Sequence, residues 1–556
     1  MRPALSSLLE GRRRRILTHA LPLGATAALA FLGGLRAGTA PQRADRAAAR
    51  DFAAAWARGD WRGAYALLDA PSRGRVGLTS FTALNTAARA TATLLAARAG
   101  KARRTGGRVQ VGFVLRTRLW GQLRGVLTLP VHDAKVAWSR ALVFPGLRAG
   151  ERLSRRTSLP VRAALLARDG TPLARGSNRS SPVATTAAEV VGQLESPPAA
   201  DAPRLLALGY PPATLVGSSG LERIFQARLV GRPGGELRAG LRILVRTRPV
   251  PARAVRTSID LDMERASITA LAGRLGGAAA VDPRTGEVLA LAGLAFSALQ
   301  PPGSTFKIVT ATGALEAQIV KPSTLFPIQT GAVLEGRTLS NANGEACGGS
   351  FAHAFAVSCN SVFAPLGAKL GGPRLVRAAE AFGFNAPVGI TGAKTSTIPA
   401  NSLADDLQTG SSAIGQGLVQ ATALQMTLVA ATIAHGGRRP ELTLLAGERH
   451  PAVRAVPAGI AKKVNALMRG VVTTGTGTAA AISGVSVAGK TGTAELDDTT
   501  GTTGGPVRQT DAWFVAFAPA GRPRVAAGML LVEAGAGGAV AAPPVREILL
   551  SGLKRR

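Results

Sequence analysis

Ser304-Thr305-Phe306-Lys307 sets a hydroxyl and an amine at i and i+3, and on a helix those two positions share a face. A free serine is a poor nucleophile, and an adjacent base activates it. The spacing therefore predicts acyl transfer through Ser304, with Lys307 taking the hydroxyl proton once burial or a neighbouring cation lowers its pKa. The flanks predict a helix starting here. Pro301-Pro302-Gly303 breaks the preceding segment, and Ile308-Val309-Thr310-Ala311 continues as an apolar run. Alone, S-x-x-K is an ordinary helix start. Two further clusters follow it in order, Ser358-Cys359-Asn360 and Lys490-Thr491-Gly492-Thr493. The alternation of Val485-Ser486-Val487-Ala488 predicts that the last cluster lies on an edge strand.

A rival reading uses the same lysine. Gly484 to Thr491 fits G-x-x-x-x-G-K-[ST], a phosphate-binding loop. Such a loop needs a helix directly after the Lys-Thr pair. Here the residues from Gly492 to Pro506 are rich in Gly, Thr and Asp and predict turns. Metal chemistry is not indicated. The five histidines are scattered, and neither H-E-x-x-H nor paired C-x-x-C occurs. His353, five residues before Ser358, reads as a helix-surface or packing position, and His132 and His450 have no motif around them.

The three clusters, in this order, resemble the signature of serine penicilloyl enzymes. Other segments carry the same likeness. Ala280 to Ala290 reads as strand, tight turn and strand, and resembles the opening hairpin of penicillin-binding transpeptidase domains. Gly415-Gln416-Gly417, Ala512 to Phe517, Gly217 to Arg223 and Leu229 to Gly234 also resemble that family. Arg162 to Gly170 resembles its linker pattern R-G-x-I-x-D-R-x-G, with Ala163 in place of Gly and Ala167 in place of Asp. The resemblance is to class B, monofunctional penicillin-binding proteins, and covers nearly the whole chain after residue 40. It implies a D,D-transpeptidase that cross-links peptidoglycan stem peptides, supplied free or on a lipid-linked precursor. It also implies covalent capture of β-lactams and no cofactor. Ser304 would be the nucleophile, Lys307 its base, and Ser358 the relay to the leaving amine. Asn360 would hold Lys307 and the substrate amide. Lys490, Thr491, Gly492 and Thr493 would bind the substrate carboxylate and backbone, and the N–H groups of Ser304 and Thr493 would form the oxyanion hole. A D,D-carboxypeptidase or a β-lactamase would use the same residues, and a non-catalytic penicillin-binding scaffold or sensor is the alternative of another class.

The chain of 556 residues carries a net charge of +35, mostly from Arg, with 4% aromatic residues. No nucleic-acid-binding motif accompanies that charge. A compositional bias toward Ala, Gly and Arg explains it best, attraction to an anionic envelope next, and nucleic acid is not an expected partner. Arg12-Arg13-Arg14-Arg15 precedes the apolar run from Ile16 to Leu35, which is long enough for one membrane span. Basic residues before the run predict an uncleaved anchor in the cytoplasmic membrane with the bulk of the chain outside. The alternative is a signal peptide cut near Gly38-Thr39-Ala40, which Pro41 disfavours. Cys347 and Cys359 are the only cysteines. They read either as a disulfide, which an extracytoplasmic site permits, or as two separate buried thiols.

The expected architecture is multidomain α+β, in four parts: a cytoplasmic tail and transmembrane helix over residues 1–40, a small α+β cone over 41–149, an extended pedestal of the dimerisation type over 150–256, and a penicillin-binding transpeptidase domain over 257–556, an antiparallel sheet flanked by helices. In the second part, residues 43–68 predict two helices split at Gly59-Asp60. Residues 80–97 predict a third, and 108–117, 121–129 and 135–143 predict strands. Phe52 to Trp56 followed by Gly59-Asp60-Trp61 resembles the nuclear-transport-factor-2-like module of some class B proteins, which implies a spacer or a partner surface. Residues 177–203, rich in Ser, Pro and Ala, predict loop. A partner glycosyltransferase accompanies the class B reading.

Overall fold

The computed structural model describes residues 41–495 and 510–555. The expected anchor at 16–35 and most of the turn-rich run after Gly492 lie outside them. Among the described residues no helix is long and apolar enough to cross a membrane. The chain forms two compact units, and the stretch 150–256 is shared between them. Among the described residues the first contains 41–160 with Ser196–Leu215 and Gly231–Pro251. The second contains Val161–Glu195, Val216–Val230 and Ala252–Arg556.

The first unit opens with helix α1 over residues 41–58, which buries Phe52, Ala55 and Trp56. Gly59 leaves the helix at φ +75°, and Asp60 caps the short helix Trp61–Ala66 by accepting from Gly63 N. Helix α2 spans Leu78–Thr91. The helix expected to reach residue 97 therefore stops early, because strand β1 begins at Leu94 and runs to Thr105. That strand was not legible. Two register irregularities interrupt its pairing, and its many alanines give no clear alternation. Strands β2 (Arg108–Thr117), β3 (Gln122–His132) and β4 (Lys135–Val136) complete an antiparallel sheet in sequential order. The strand expected at 135–143 is only two residues long and gives way to a 3-10 turn at Arg140–Val143. A second sheet in this unit joins β5 (Leu153–Ser158), β6 (Gly234–Ala239) and β7 (Arg242–Thr247), with β6 central.

In the second unit the region expected as loop at 177–203 contains the helix Ala184–Val191, because Ala187, Val190 and Val191 form a buried face despite the surrounding Ser and Pro. Arg162 donates to Glu222 at 2.6 Å, and Arg179 Nε reaches the same buried carboxylate at 2.7 Å. The turn between Leu165–Leu166 and Pro172–Ala174 closes without the Gly and Asp of the linker pattern. Gly170 N donates to Ala167 O, and Asp169 accepts from Thr171 N.

The remainder is built on one five-stranded antiparallel sheet. Its strands are β8 (Gly276–Val281), β9 (Val288–Gly293), β10 (Ala488–Glu495), β11 (Thr510–Ala518) and β12 (Val525–Leu531), in the order β9-β8-β12-β11-β10. Both faces are covered, so the strands are apolar throughout rather than alternating. On β11, Phe514 and Ala516 join a core closed by helices α3 (Leu261–Leu271) and α8 (Ala542–Lys554). Trp513, Val515 and Phe517 join the larger core on the other face. That larger core buries helices α4 (Lys307–Glu316) and α6 (Ala423–Ala434) almost completely, together with one face of α5 (Asn360–Leu370) and of α7 (Ala458–Thr473).

Candidate active site

The structure gathers all three clusters at the edge of that sheet. Ser304 lies in a single 3-10 turn, Gly303–Phe306, that leads directly into α4. Gly303 holds φ +51°, and a Cβ there would lie 2.8 Å from Thr493 O. Only glycine allows the serine turn to approach β10 this closely. Gly303 N donates to Gly415 O at 3.0 Å. Gly415, at φ +77°, has no room for a side chain, since its Cβ would meet Gly303 O at 2.0 Å. The Gly415-Gln416-Gly417 segment thus supports the serine turn from behind.

Ser358 sits at φ +67° between the helix Phe351–Ala356 and α5, a conformation unfavourable for a residue with a side chain. The turn is tied down on both sides. Cys359 N donates to Ala354 O, and Cys359 is disulfide-bonded to Cys347. Of the two readings open for the cysteines, the bonded one is correct. Asn360 opens α5, and its amide donates to Ser340 O at 2.8 Å. β10 is the sheet edge, as its alternation predicted, but it begins at Ala488, and Val485–Val487 precede the strand.

Two fully buried lysines converge on Ser358. Lys307 Nζ donates to Asn360 Oδ1 and to Ser358 O, both at 2.7 Å, and lies 3.3 Å from Ser358 Oγ. Lys490 Nζ lies 2.8 Å from the same hydroxyl. Burial, and after it the charge of Lys490, hold the Lys307 ammonium well below its usual range. Burial pushes Lys490 down to about 7. Phe363 and Phe355 lie beneath the two amines, 5.4 and 5.7 Å from ring centre to nitrogen. Ser304, Ser358, Asn360 and Thr493 remain partly exposed above them. Ser304 Oγ makes no hydrogen bond to the described residues.

Sequence reading missed several supporting groups. Thr476 Oγ1 bonds Thr491 Oγ1 at 2.6 Å, and Thr476 N donates to Ala356 O. The Gly-Thr run at 473–478 was visible as a segment bordering the K-T-G strand, but nothing in it singled out Thr476. Gly537 N donates to Thr493 Oγ1 at 3.4 Å, and no sequence signal marks Gly537. Among the described residues no cluster of His, Cys, Asp and Glu could hold a metal ion.

Fold and site together define a penicillin-binding transpeptidase domain. Residues 276–550 match the penicillin-binding protein transpeptidase domain family, and residues 147–239 match the penicillin-binding protein dimerisation domain family. The chain is 36% identical over 286 residues to peptidoglycan D,D-transpeptidase PbpA of Mycobacterium tuberculosis. The match covers 47% of this chain and 56% of PbpA, so the chain spans little more than half the length of that relative. Peptidoglycan D,D-transpeptidase MrdA of Acinetobacter baumannii is 27% identical over 408 residues, 60% of each chain. Among solved structures, the penicillin G acyl-enzyme complex of penicillin-binding protein A from M. tuberculosis superposes with a TM-score of 0.57 at 26% identity. That match covers 71% of this chain and 100% of the other. Pseudomonas aeruginosa PBP2 in complex with WCK 5153 gives 0.61 at 25% identity, over 73% and 97%. The chain belongs to the class B penicillin-binding proteins.

Proposed function

We propose that this chain is a peptidoglycan D,D-transpeptidase that works through an acyl-enzyme on Ser304 and is acylated at the same residue by β-lactams. One observation carries the reading. Lys307 is buried, its charge is disfavoured, and two short bonds to Asn360 Oδ1 and Ser358 O employ both N–H groups of a neutral amine. The lone pair that remains belongs to a base one helical turn from Ser304.

Ser304 Oγ attacks the carbonyl carbon of the penultimate D-Ala as its proton passes to Lys307 Nζ. The oxyanion forms against the backbone N–H groups of Ser304 and Thr493. Collapse of the intermediate breaks the amide bond. Ser358 Oγ, between the two lysines, passes a proton to the departing D-Ala amine. Lys490 in its ammonium form, with Thr491 and Thr493, holds the substrate's terminal carboxylate, and Gly492 lets the peptide lie close along β10. The amine of a neighbouring stem peptide then attacks the ester and releases Ser304. Residues 1–40 anchor the chain in the cytoplasmic membrane, and the catalytic part faces outward beside a glycosyltransferase. Residues 41–149 form the nuclear-transport-factor-2-like spacer, 150–256 the pedestal and 257–556 the catalytic domain.

Fluorescent penicillin tests the site. Ser304→Ala removes the only acyl-accepting atom and should abolish labelling without altering the fold; a label found on another serine by mass spectrometry would refute the assignment. Turnover of a D-Ala-D-Ala donor with and without an amine acceptor separates transpeptidation from carboxypeptidase, β-lactamase or scaffold behaviour. Only a transpeptidase forms the cross-linked product.

A further inference from the structure

The chain's charge is unevenly shared between its units. The described part of the first unit has 28 Lys and Arg against 8 Asp and Glu, so it carries +20 of the chain's +35. Part of that excess is organised on one surface. β2 turns Val109, Val111, Phe113 and Leu115 into the core, so Arg108, Val114 and Arg116 face the other way. Cross-strand register extends this outer face to both neighbours. Arg98 of β1 and Arg124 of β3 lie opposite Val114, and Arg103 of β1 lies opposite Gln110. Arg98, Arg103, Arg108, Arg116 and Arg124 are exposed, and none has an ion-pair or hydrogen-bond partner among the described residues. Strands β1, β2 and β3 contain no acidic residue at all. Between the arginines, Val114 and Val126 are 39% and 46% exposed.

Like charges side by side on a sheet destabilise it, and nothing within the described part of the unit neutralises these. We propose that this sheet face docks on the surface of an anionic phospholipid bilayer. Three features favour a bilayer. The array is a broad, open face that spans three strands. Apart from Lys101 of β1, its cations are arginine, whose planar guanidinium binds phosphate bidentately and is weakly hydrated. The exposed valines among them suit the boundary between headgroups and acyl chains. The apolar run Ile16–Leu35 ends six residues before Pro41, where the described helix starts, so an anchored chain holds this unit at high effective concentration near the bilayer. That last argument rests on the anchor proposed above; the face itself does not.

The test uses the full chain in nanodiscs of neutral lipid alone, or of neutral lipid with about one third phosphatidylglycerol, a composition rich enough in anionic lipid to attract basic segments. A fluorophore on Val126→Cys reports contact, since Cys347 and Cys359 are bonded to each other. Brominated lipid should quench it in anionic discs only, and high salt should relieve the quenching. Arg98→Gln/Arg116→Gln/Arg124→Gln should lower the docked-to-free ratio about a hundredfold, at about fivefold per arginine, with penicillin acylation unchanged. Equal quenching in neutral discs, no quenching in anionic discs, or quenching indifferent to the three substitutions would overturn the proposal. So would binding to soluble polyphosphate without bilayer contact. Failure of the chain to insert into discs would refute the anchor alone. In that event the face is read by flotation of the same protein with anionic vesicles, and absence of flotation overturns it.

Discussion

Burying two lysine amines against one serine hydroxyl disfavours their charges, and the site uses that penalty. In the proposed mechanism Lys307 serves as a base because burial disfavours its charge, whereas Lys490 must be cationic to hold a carboxylate. Both contact Ser358 Oγ, so they titrate as a coupled pair rather than as independent groups. The second-order acylation rate reports the free enzyme and should follow a bell-shaped pH profile. Its acid limb reflects protonation of Lys307, and its alkaline limb falls through about 7 as Lys490 loses its proton. Lys490→Arg should remove the alkaline limb, because guanidinium does not titrate there; a limb that persisted unchanged in this variant would assign it to another group. Stability has the opposite sign. Between about 7 and 10.5 the unfolded chain holds a proton on Lys490 that the folded chain lacks, so stability grows with pH across that window. Activity and stability should therefore diverge above neutrality. The grouping of Ser304, Lys307, Ser358 and Asn360 was legible because each residue type is tied to a fixed spacing. The lowered lysine pKa values were not, because burial by Phe355, Phe363 and the packed sheet is a property of the assembled fold.

At the scale of elements, the serine turn depends on backbone placement from two directions. Gly415→Ala would drive a Cβ into Gly303 O and displace the serine turn. Displacement of a reacting group by about 1 Å can cost about 10²-fold, so acylation should fall by that order while far-UV circular dichroism stays unchanged. A variant acylating at the normal rate would show that Gly415 does not position Ser304. The disulfide braces the other side. Cys347→Ser/Cys359→Ser opens a loop of sequence separation 12 and should cost about 3 kcal/mol in denaturant unfolding. It should also slow acylation, since Ser358 precedes Cys359 and is held at positive φ. Unchanged stability and rate would leave the bond without a structural role. The elements that sequence reading found were those with clean periods, such as β2, whose limits match the expected ones. The start of β10 was placed too early because Val485 and Val487 alternate with polar residues for local reasons. Val485 N closes a turn onto Ile482 O, and pairing with β11 starts only at Ala488. β1 was missed because register shifts erase a period of two.

At the scale of the whole molecule, the four consecutive parts expected from sequence become two interleaved units, because the chain crosses between them several times after Pro160. No local period records such crossings, so the interleaving was not legible, although the order of motifs was. Glu222 illustrates how non-local the second unit is, since its buried carboxylate meets Arg162 and Arg179 from distant parts of the sequence. The interleaving refines what truncation should do. A fragment beginning at Gly150 loses α1, α2 and the sheet β1 to β4 but keeps the sheet β5-β6-β7. Leu153, Leu237, Leu244 and Val245 of that retained sheet belong to the core of the deleted part or pack against it. The fragment should therefore expose apolar surface and aggregate more readily than the full chain. Its chemistry should survive, because Ser304, Lys307, Ser358, Asn360 and Lys490, and every side chain that contacts them, lie in the second unit. In stopped-flow measurements with fluorescent penicillin, the soluble fraction should acylate within about tenfold of the full chain, or roughly 1.4 kcal/mol in the barrier. Near-UV circular dichroism on the same sample establishes that Trp513 and its neighbours are still packed. A folded fragment that acylated more slowly than this would mean that the first unit acts on the catalytic site, and the reading of residues 41–149 as a spacer would fail.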